Sequence, residues 1–204
     1  MLLNYVVLES NNQKERELVS KAKQGDKEAL SQLVSLYSKR IYHLGLRLTG
    51  NEQDAEDILQ DTFLTMLKKI NQFRGRSSFY TWLYRIAVNI GLSKIQSKKM
   101  KYHHISIDDP DIEKIHSEHI HEWPKFDFKN IRSKRFRKKL DEALEQLPEI
   151  YRTVFILRDL HELTTNETSK ILQITPSNTK IRLMRSRNFL KNKLEDLAKE
   201  EGLI

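Results

Sequence analysis

Residues 51–70 read NEQDAEDILQDTFLTMLKKI, and their spacing decides the architecture. Ala55, Ile58, Leu59, Phe63, Met66, Leu67 and Ile70 recur at i, i+3, i+4 and i+7, the pattern of a helix with one apolar face. Asn51 supplies an N-cap, and Glu52, Asp54, Glu56 and Asp57 occupy the first turns, where carboxylates complement the helix dipole. The same period extends outward in both directions. Upstream, Gly25-Asp26 precedes Ala29, Leu30, Leu33, Leu36 and Tyr37, and the pattern continues through Ile41, Leu44 and Leu48 to a stop at Gly50. Downstream, a loop over 71–78 centred on Gly75 leads to a helix with Phe79, Trp82, Leu83, Ile86 and Ile90 on its apolar face. Thr81, Arg85 and Asn89 fall on a different side, with Tyr84 beside them. Only six glycines and four prolines interrupt 204 residues. The chain is expected to be all-α.

Helical spacing fades over residues 100–132, which hold five of the seven histidines, Pro110, Pro124, and an acidic run followed by a basic one. This composition suits a flexible linker. It separates a helical domain over 1–99 from a second over 133–204. In the second, Leu140, Ala143, Leu144 and Leu147 precede a break at Pro148, and Tyr151, Val154, Phe155 and Leu157 follow it. Thr164 to Glu167 has the spacing of a capping box, opening a short helix with Ile171 and Leu172 on its inner side. Gln173-Ile174 then leads to Thr175 and Pro176 as N-cap and N1 of the next helix. Two short helices joined this tightly resemble a helix-turn-helix. The second of them is expected to bury Ile181, Leu183 or Met184, and Leu190.

The net charge of +8 points to a polyanionic partner, and the segregation of charge sharpens the inference. Residues 68–101 carry nine Lys and Arg and no acid. They also hold Phe73, Phe79, Tyr80, Trp82 and Tyr84, with the planar guanidiniums of Arg74 and Arg76. Cations that follow phosphates, interleaved with π-faces that replace lost base stacking, are chemistry for single-stranded nucleic acid. A buried aromatic stripe behind a solvated basic face is the plainer alternative for that segment. Residues 178–193 carry six bases and no acid. There Asn178 and Lys180 suit base edges, while Arg182, Arg185 and Arg187 suit bases or phosphates. The chain has no cysteine, which excludes disulfides and thiol chemistry. The N-terminal MLLNYVVLES lacks the basic start and cleavage site of a leader, and no run is long enough to span a membrane. A cytoplasmic location is expected.

Taken in order, GDKEAL, DAEDILQDTFL, FRGRSSFYTWLYRIAVN, LEQLPEIYRTVFILRDL and KIRLMRSRNFL resemble the extracytoplasmic-function (group IV) sigma factors of the bacterial sigma-70 family, over nearly the whole chain. The resemblance implies a promoter-specificity factor of RNA polymerase with no catalytic activity and no cofactor. Its 1–99 domain would be region 2-like and its 133–204 domain region 4-like. The helix matching DAEDILQDTFL would dock on the polymerase β′ clamp helices through Asp54, Asp57, Gln60 and Asp61, while the linker runs through channels of the core enzyme. Phe73, Arg74, Ser77, Phe79, Tyr80, Arg85 and Asn89 would capture the melted −10 strand and hold a flipped base. Ser177, Asn178, Lys180, Arg182, Met184 and Arg185 would read the −35 element as duplex. An anti-sigma factor is a further partner that the family admits. Two departures qualify the match: the usual junction glycine is Gln173, and the common Thr-Val pair of the recognition helix is Asn178-Thr179.

Three other readings compete. A stand-alone helix-turn-helix regulator accounts for the C-terminal half but leaves the acidic helix and the aromatic basic segment without a purpose. Asp54, Asp57 and Asp61 share a helix face as a Mg²⁺ site would require, yet no phosphate loop or other catalytic motif accompanies them. His116, His119 and His121, with His103 and His104, form a candidate transition-metal cluster, weighed against incidental histidines in a polar linker.

Overall fold

The computed structural model describes residues 2–101 and 131–203, together with Trp123, Pro124, Phe126 and Phe128. The linker histidines lie outside these residues. The elements are helices α1 (Leu2–Lys23), α2 (Lys27–Thr49), α3 (Glu52–Lys69), α4 (Phe79–Lys101), α5 (Lys134–Gln146), α6 (Glu149–Phe155), α7 (Thr165–Leu172) and α8 (Pro176–Glu200). A 3-10 turn at Ile70–Gln72 follows α3, and a π-turn at Ile156–Leu160 follows α6. No strand occurs among the described residues. The chain divides into two compact units, 1–94 and 95–204.

In the first unit, Asp26 caps α2 by accepting from the amides of Glu28 (2.9 Å) and Ala29 (3.1 Å). Gly50 ends the helix in the left-handed region at φ 67°. The core joins Leu33, Tyr37, Ile41, Leu44 and Leu48 of α2 to Ala55, Ile58 and Met66 of α3 and Leu83, Tyr84, Ala87 and Val88 of α4, all buried. Gly45 allows α2 and α3 to approach closely: a Cβ there would lie 3.1 Å from Ala55 Cα. Burial of each large side chain in such a core stabilises the fold by about 1.5–3 kcal/mol.

One expected face is redrawn. Leu67 lies on the outer side of α3 at 46% exposed, beside Leu64 at 45%, and the buried stripe runs instead through Ala55, Ile58, Thr62, Phe63 and Met66. The i, i+3, i+4 spacing admits either residue flanking a stripe, and packing decides between them. Helix α1 has no counterpart in the periodicity, because only Val19 and Ala22 of its described side chains are buried.

The second unit is built on Phe136, Leu140 and Leu144 of α5, Tyr151, Val154 and Phe155 of α6, and Leu190 and Leu194 of α8. Trp123, Phe126 and Phe128 pack against this core, with Trp123 5.7 Å from Phe155 and Phe126 5.5 Å from Phe136 between ring centroids. The end of the stretch expected to be linker thus contributes aromatic rings to this unit. The capping box forms as its spacing predicts: the Glu167 amide donates to Thr164 Oγ1 (3.2 Å) and the Thr164 amide to Glu167 Oε2 (2.9 Å).

Candidate nucleic-acid interface

The loop over 73–78 is anchored at both ends. Lys23 Nζ of α1 donates to the Phe73 carbonyl at 3.1 Å. Ser78 Oγ accepts from the Thr81 amide at 3.1 Å, which caps the start of α4. Between these anchors lies a cavity of about 560 Å³. One wall is α1, through Glu15, Arg16, Val19, Ser20 and Lys23, and the other is the loop, through Phe73, Arg74, Gly75, Ser77, Ser78 and Phe79. Gly75 sits at the loop's turn with φ 69°, a conformation that costs an L-residue strain. The α1 contribution escaped the sequence reading, because over residues 13–23 only Val19 and Ala22 are buried among polar neighbours, which leaves no stripe to find.

Phe73, Phe79 and Trp82 pack as a triad with centroids 5.3–5.7 Å apart. Their exposures differ. Phe79 is 3% exposed, wedged against Tyr37 at 5.8 Å, so here it supports Phe73 rather than offering a free face for stacking. Tyr84 is fully buried and packs at a tilt against Tyr80, with centroids 4.1 Å apart, which removes it from the set of accessible rings. Burial, with Tyr80 close by, pushes the Tyr84 phenol pKa up and keeps it neutral. Phe73, Ser77 and Tyr80 are half-buried, and Arg74, Arg85 and Asn89 are exposed. Arg85 and Asn89 share one α4 ridge at i, i+4 spacing, and Arg40 lies 5.8 Å over the Tyr80 ring.

The acidic helix is also redrawn. Asp54 is 6% exposed, 3.6 Å from Lys94 Nζ, and Asp57 Oδ2 accepts from the same ammonium at 2.6 Å. The hydrogen bond to Asp57 raises the Lys94 pKa against the opposing effect of burial. These two carboxylates tie α3 to α4, with a lysine where a Mg²⁺ site would need its cation. Among the described residues no cluster of His, Asp and Glu is arranged to hold a metal. Gln60 and Asp61 remain exposed and share the outer face with Leu64 and Leu67.

In the second unit, α7 and α8 form the expected helix-turn-helix. Gln173, in the junction position where the family carries glycine, adopts φ 55°, ψ 39°. The Thr175 hydroxyl caps α8 by accepting from the Asn178 amide at 3.1 Å. Ser177, Asn178 and Lys180 are exposed, while Arg182, Met184 and Arg185 are half-buried, with Arg185 3.4 Å from the Tyr151 hydroxyl. Thr179 and Leu183 turn inward. Ile181, expected in the core, is instead 45% exposed, while Ser186 is among the residues facing inward. Arg187 is committed to a two-bond ion pair with the buried Asp159 (2.8 and 2.7 Å), so it braces the domain rather than reaching for DNA.

Among the described residues, one all-helical unit carries an aromatic-edged cavity beside Arg74 and Arg85 and the other a helix-turn-helix, an arrangement that fits the class of DNA-binding proteins. Comparison with known proteins narrows it. Residues 33–100 match the Sigma-70 region 2 family and residues 137–190 match Sigma-70, region 4. The ECF RNA polymerase sigma factor SigW of Bacillus subtilis (strain 168) is 31% identical over 88% of this chain and 96% of its own. The RNA polymerase sigma-H factor of Pseudomonas aeruginosa is 27% identical over 92% of this chain and 97% of its own. Among solved structures, the sigma factor RpoE in complex with the anti-sigma factor NepR from Bartonella quintana shares the fold, with TM-score 0.61 at 20% identity over 81% of this chain and 96% of that one. The chain belongs to the sigma-70 family, in its extracytoplasmic-function group. It is an RNA polymerase sigma factor that binds core polymerase and promoter DNA. A stand-alone regulator is not favoured, since the family match takes in both halves of the chain.

Proposed function

We propose that the two units divide promoter recognition by the state of the DNA. The 1–99 domain captures the melted −10 strand: Phe73, Arg74 and Ser77 take a base and its phosphate at the cavity, and Tyr80, Arg85 and Asn89 contact the strand along α4. Phe79 holds Phe73 in place from beneath. The 133–204 domain reads the −35 element as duplex through Ser177, Asn178, Lys180, Arg182, Met184 and Arg185. The observation that carries this division is the loop cavity, which offers the aromatic edge of Phe73 beside the cations Arg16, Lys23 and Arg74.

Docking on core polymerase falls to the outer face of α3. Gln60, Asp61, Leu64 and Leu67 are among its exposed members, and they place an apolar centre beside a polar rim, as interface patches do. Asp54 and Asp57 act there indirectly, by holding α3 in register with α4. The linker passes through the polymerase, the factor performs no chemistry itself, and it works in the cytoplasm. No helix among the described residues is long and apolar enough to cross a membrane. An anti-sigma factor, such as the one bound to the Bartonella quintana protein, is proposed as a regulatory partner.

Run-off transcription tests the proposal. Purified protein with core polymerase should yield discrete start sites on a promoter library, and Leu64→Asp with Leu67→Asp should abolish them while leaving the helical signal intact. Start sites unchanged by adding the protein would overturn it.

A further inference from the structure

We propose that Ile181 reads the C5-methyl group of a thymine in the −35 element, which makes it a determinant of promoter choice. The proposal rests on the placement of α8 in the major groove. Ile181 is the sixth residue of α8 and 45% exposed. Ser177 lies one turn before it and Arg185 one turn after, with Asn178 and Met184 at i−3 and i+3. Thr179, Leu183 and Ser186 face the core instead. Single exposed apolar residues are common on protein surfaces, so exposure alone carries nothing. Position does. Ile181 stands at the centre of a helical face whose other exposed members are hydrogen-bond donors, in the first two turns, where a recognition helix meets base edges.

The major-groove edges offer donors and acceptors at every base pair, and among the unmodified bases only thymine adds a methyl group. A branched aliphatic chain pressed on a polar edge would desolvate it without a hydrogen bond. Against a thymine methyl it buries apolar surface on both sides. A patch of one isoleucine beside a half-buried methionine is too small to seat a protein partner, and the surrounding Lys180, Arg182 and Arg185 favour a polyanion.

The test uses full-length protein with core polymerase. A −35 element selected from a randomised library is resynthesised with deoxyuridine at each thymine in turn, which removes only the methyl group, and holoenzyme binding is measured by footprinting. One position should weaken the wild-type holoenzyme about three- to ten-fold. Ile181→Ala should bind thymine and deoxyuridine equally there, whereas Lys180→Ala should bind more weakly overall yet keep the deoxyuridine penalty. Because Ile181 lies outside the core, thermal melts of Ile181→Ala should match wild type. Indifference of wild type to every deoxyuridine, with −35 protection still lost in Arg185→Ala, would overturn the methyl contact and leave the recognition helix in place. A penalty that persists in Ile181→Ala would overturn it too. Absence of −35 protection in wild type would remove both the contact and the placement of α8.

Discussion

Lys94 shows how residue chemistry and architecture meet in the first unit. Its ammonium joins Asp57 at 2.6 Å and the buried Asp54 at 3.6 Å, so one cation fixes two carboxylates that would otherwise repel. The lysine is partly exposed, and the pair contributes about 0.5–1 kcal/mol at most. The Lys94 pKa is raised from 10.5 by the hydrogen bond to Asp57. A raised folded pKa makes the contribution fully present below the unfolded value and lost as pH rises through the folded one. Lys94→Met should therefore melt below wild type by a constant margin between pH 7 and 9, and the margin should close only above about pH 10.5. A margin that closes by pH 9 would show that the bridge is not what stabilises the α3–α4 contact. Phe73 and Phe79 make the second point at this scale. Both are aromatic and lie in one motif, but Phe79→Ala should destabilise the unit by about 3 kcal/mol or more in urea titration. Phe73→Ala should cost less stability and act mainly on DNA.

Among the elements, the helix-turn-helix junction carries the sharpest expectation. Gln173 ends α7 in the left-handed region at φ 55°, where glycine is free of the Cβ penalty. Gln173→Gly should raise the stability of the second unit by about 0.5–1 kcal/mol, the relief of strain exceeding the added entropy of the unfolded chain. Denaturant melts measure it, and a destabilised variant would mean that the glutamine side chain supports the turn. Most helices were legible because capping and period agree, as at Asp26, Asn51, Thr164 and Thr175. What escaped the sequence was orientation within a face. Leu67 and Ile181 are apolar and correctly spaced, yet each lies beside the buried stripe rather than in it, and only the neighbouring helices settle that. Helix α1 escaped for the opposite reason, its apolar residues being grouped at its start while residues 9–23 are mostly polar. Trp123, Phe126 and Phe128 escaped because three rings amid charged residues show no helical period, although their aromatic density is itself a packing signal.

At the scale of the whole molecule, the account rests on two DNA surfaces of different physical kind in one chain. A contact that reads duplex edges acts before melting, and its loss is felt in closed-complex binding. A contact that stacks on an extruded base acts only after the base has left the helix, and its loss is felt in opening. Permanganate reactivity of −10 thymines, followed on duplex and on premelted templates beside footprints of the closed complex, separates the two. Holoenzyme carrying Phe73→Ala or Asn89→Ala should form the closed complex normally and open duplex promoter poorly, by about 1–3 kcal/mol per lost contact. A premelted −10 bubble should restore much of that loss. Arg185→Ala should lose closed-complex binding on a −35-dependent promoter and gain no comparable rescue from the bubble. Equal loss of closed-complex binding in both sets of variants would contradict the division between duplex reading and strand capture.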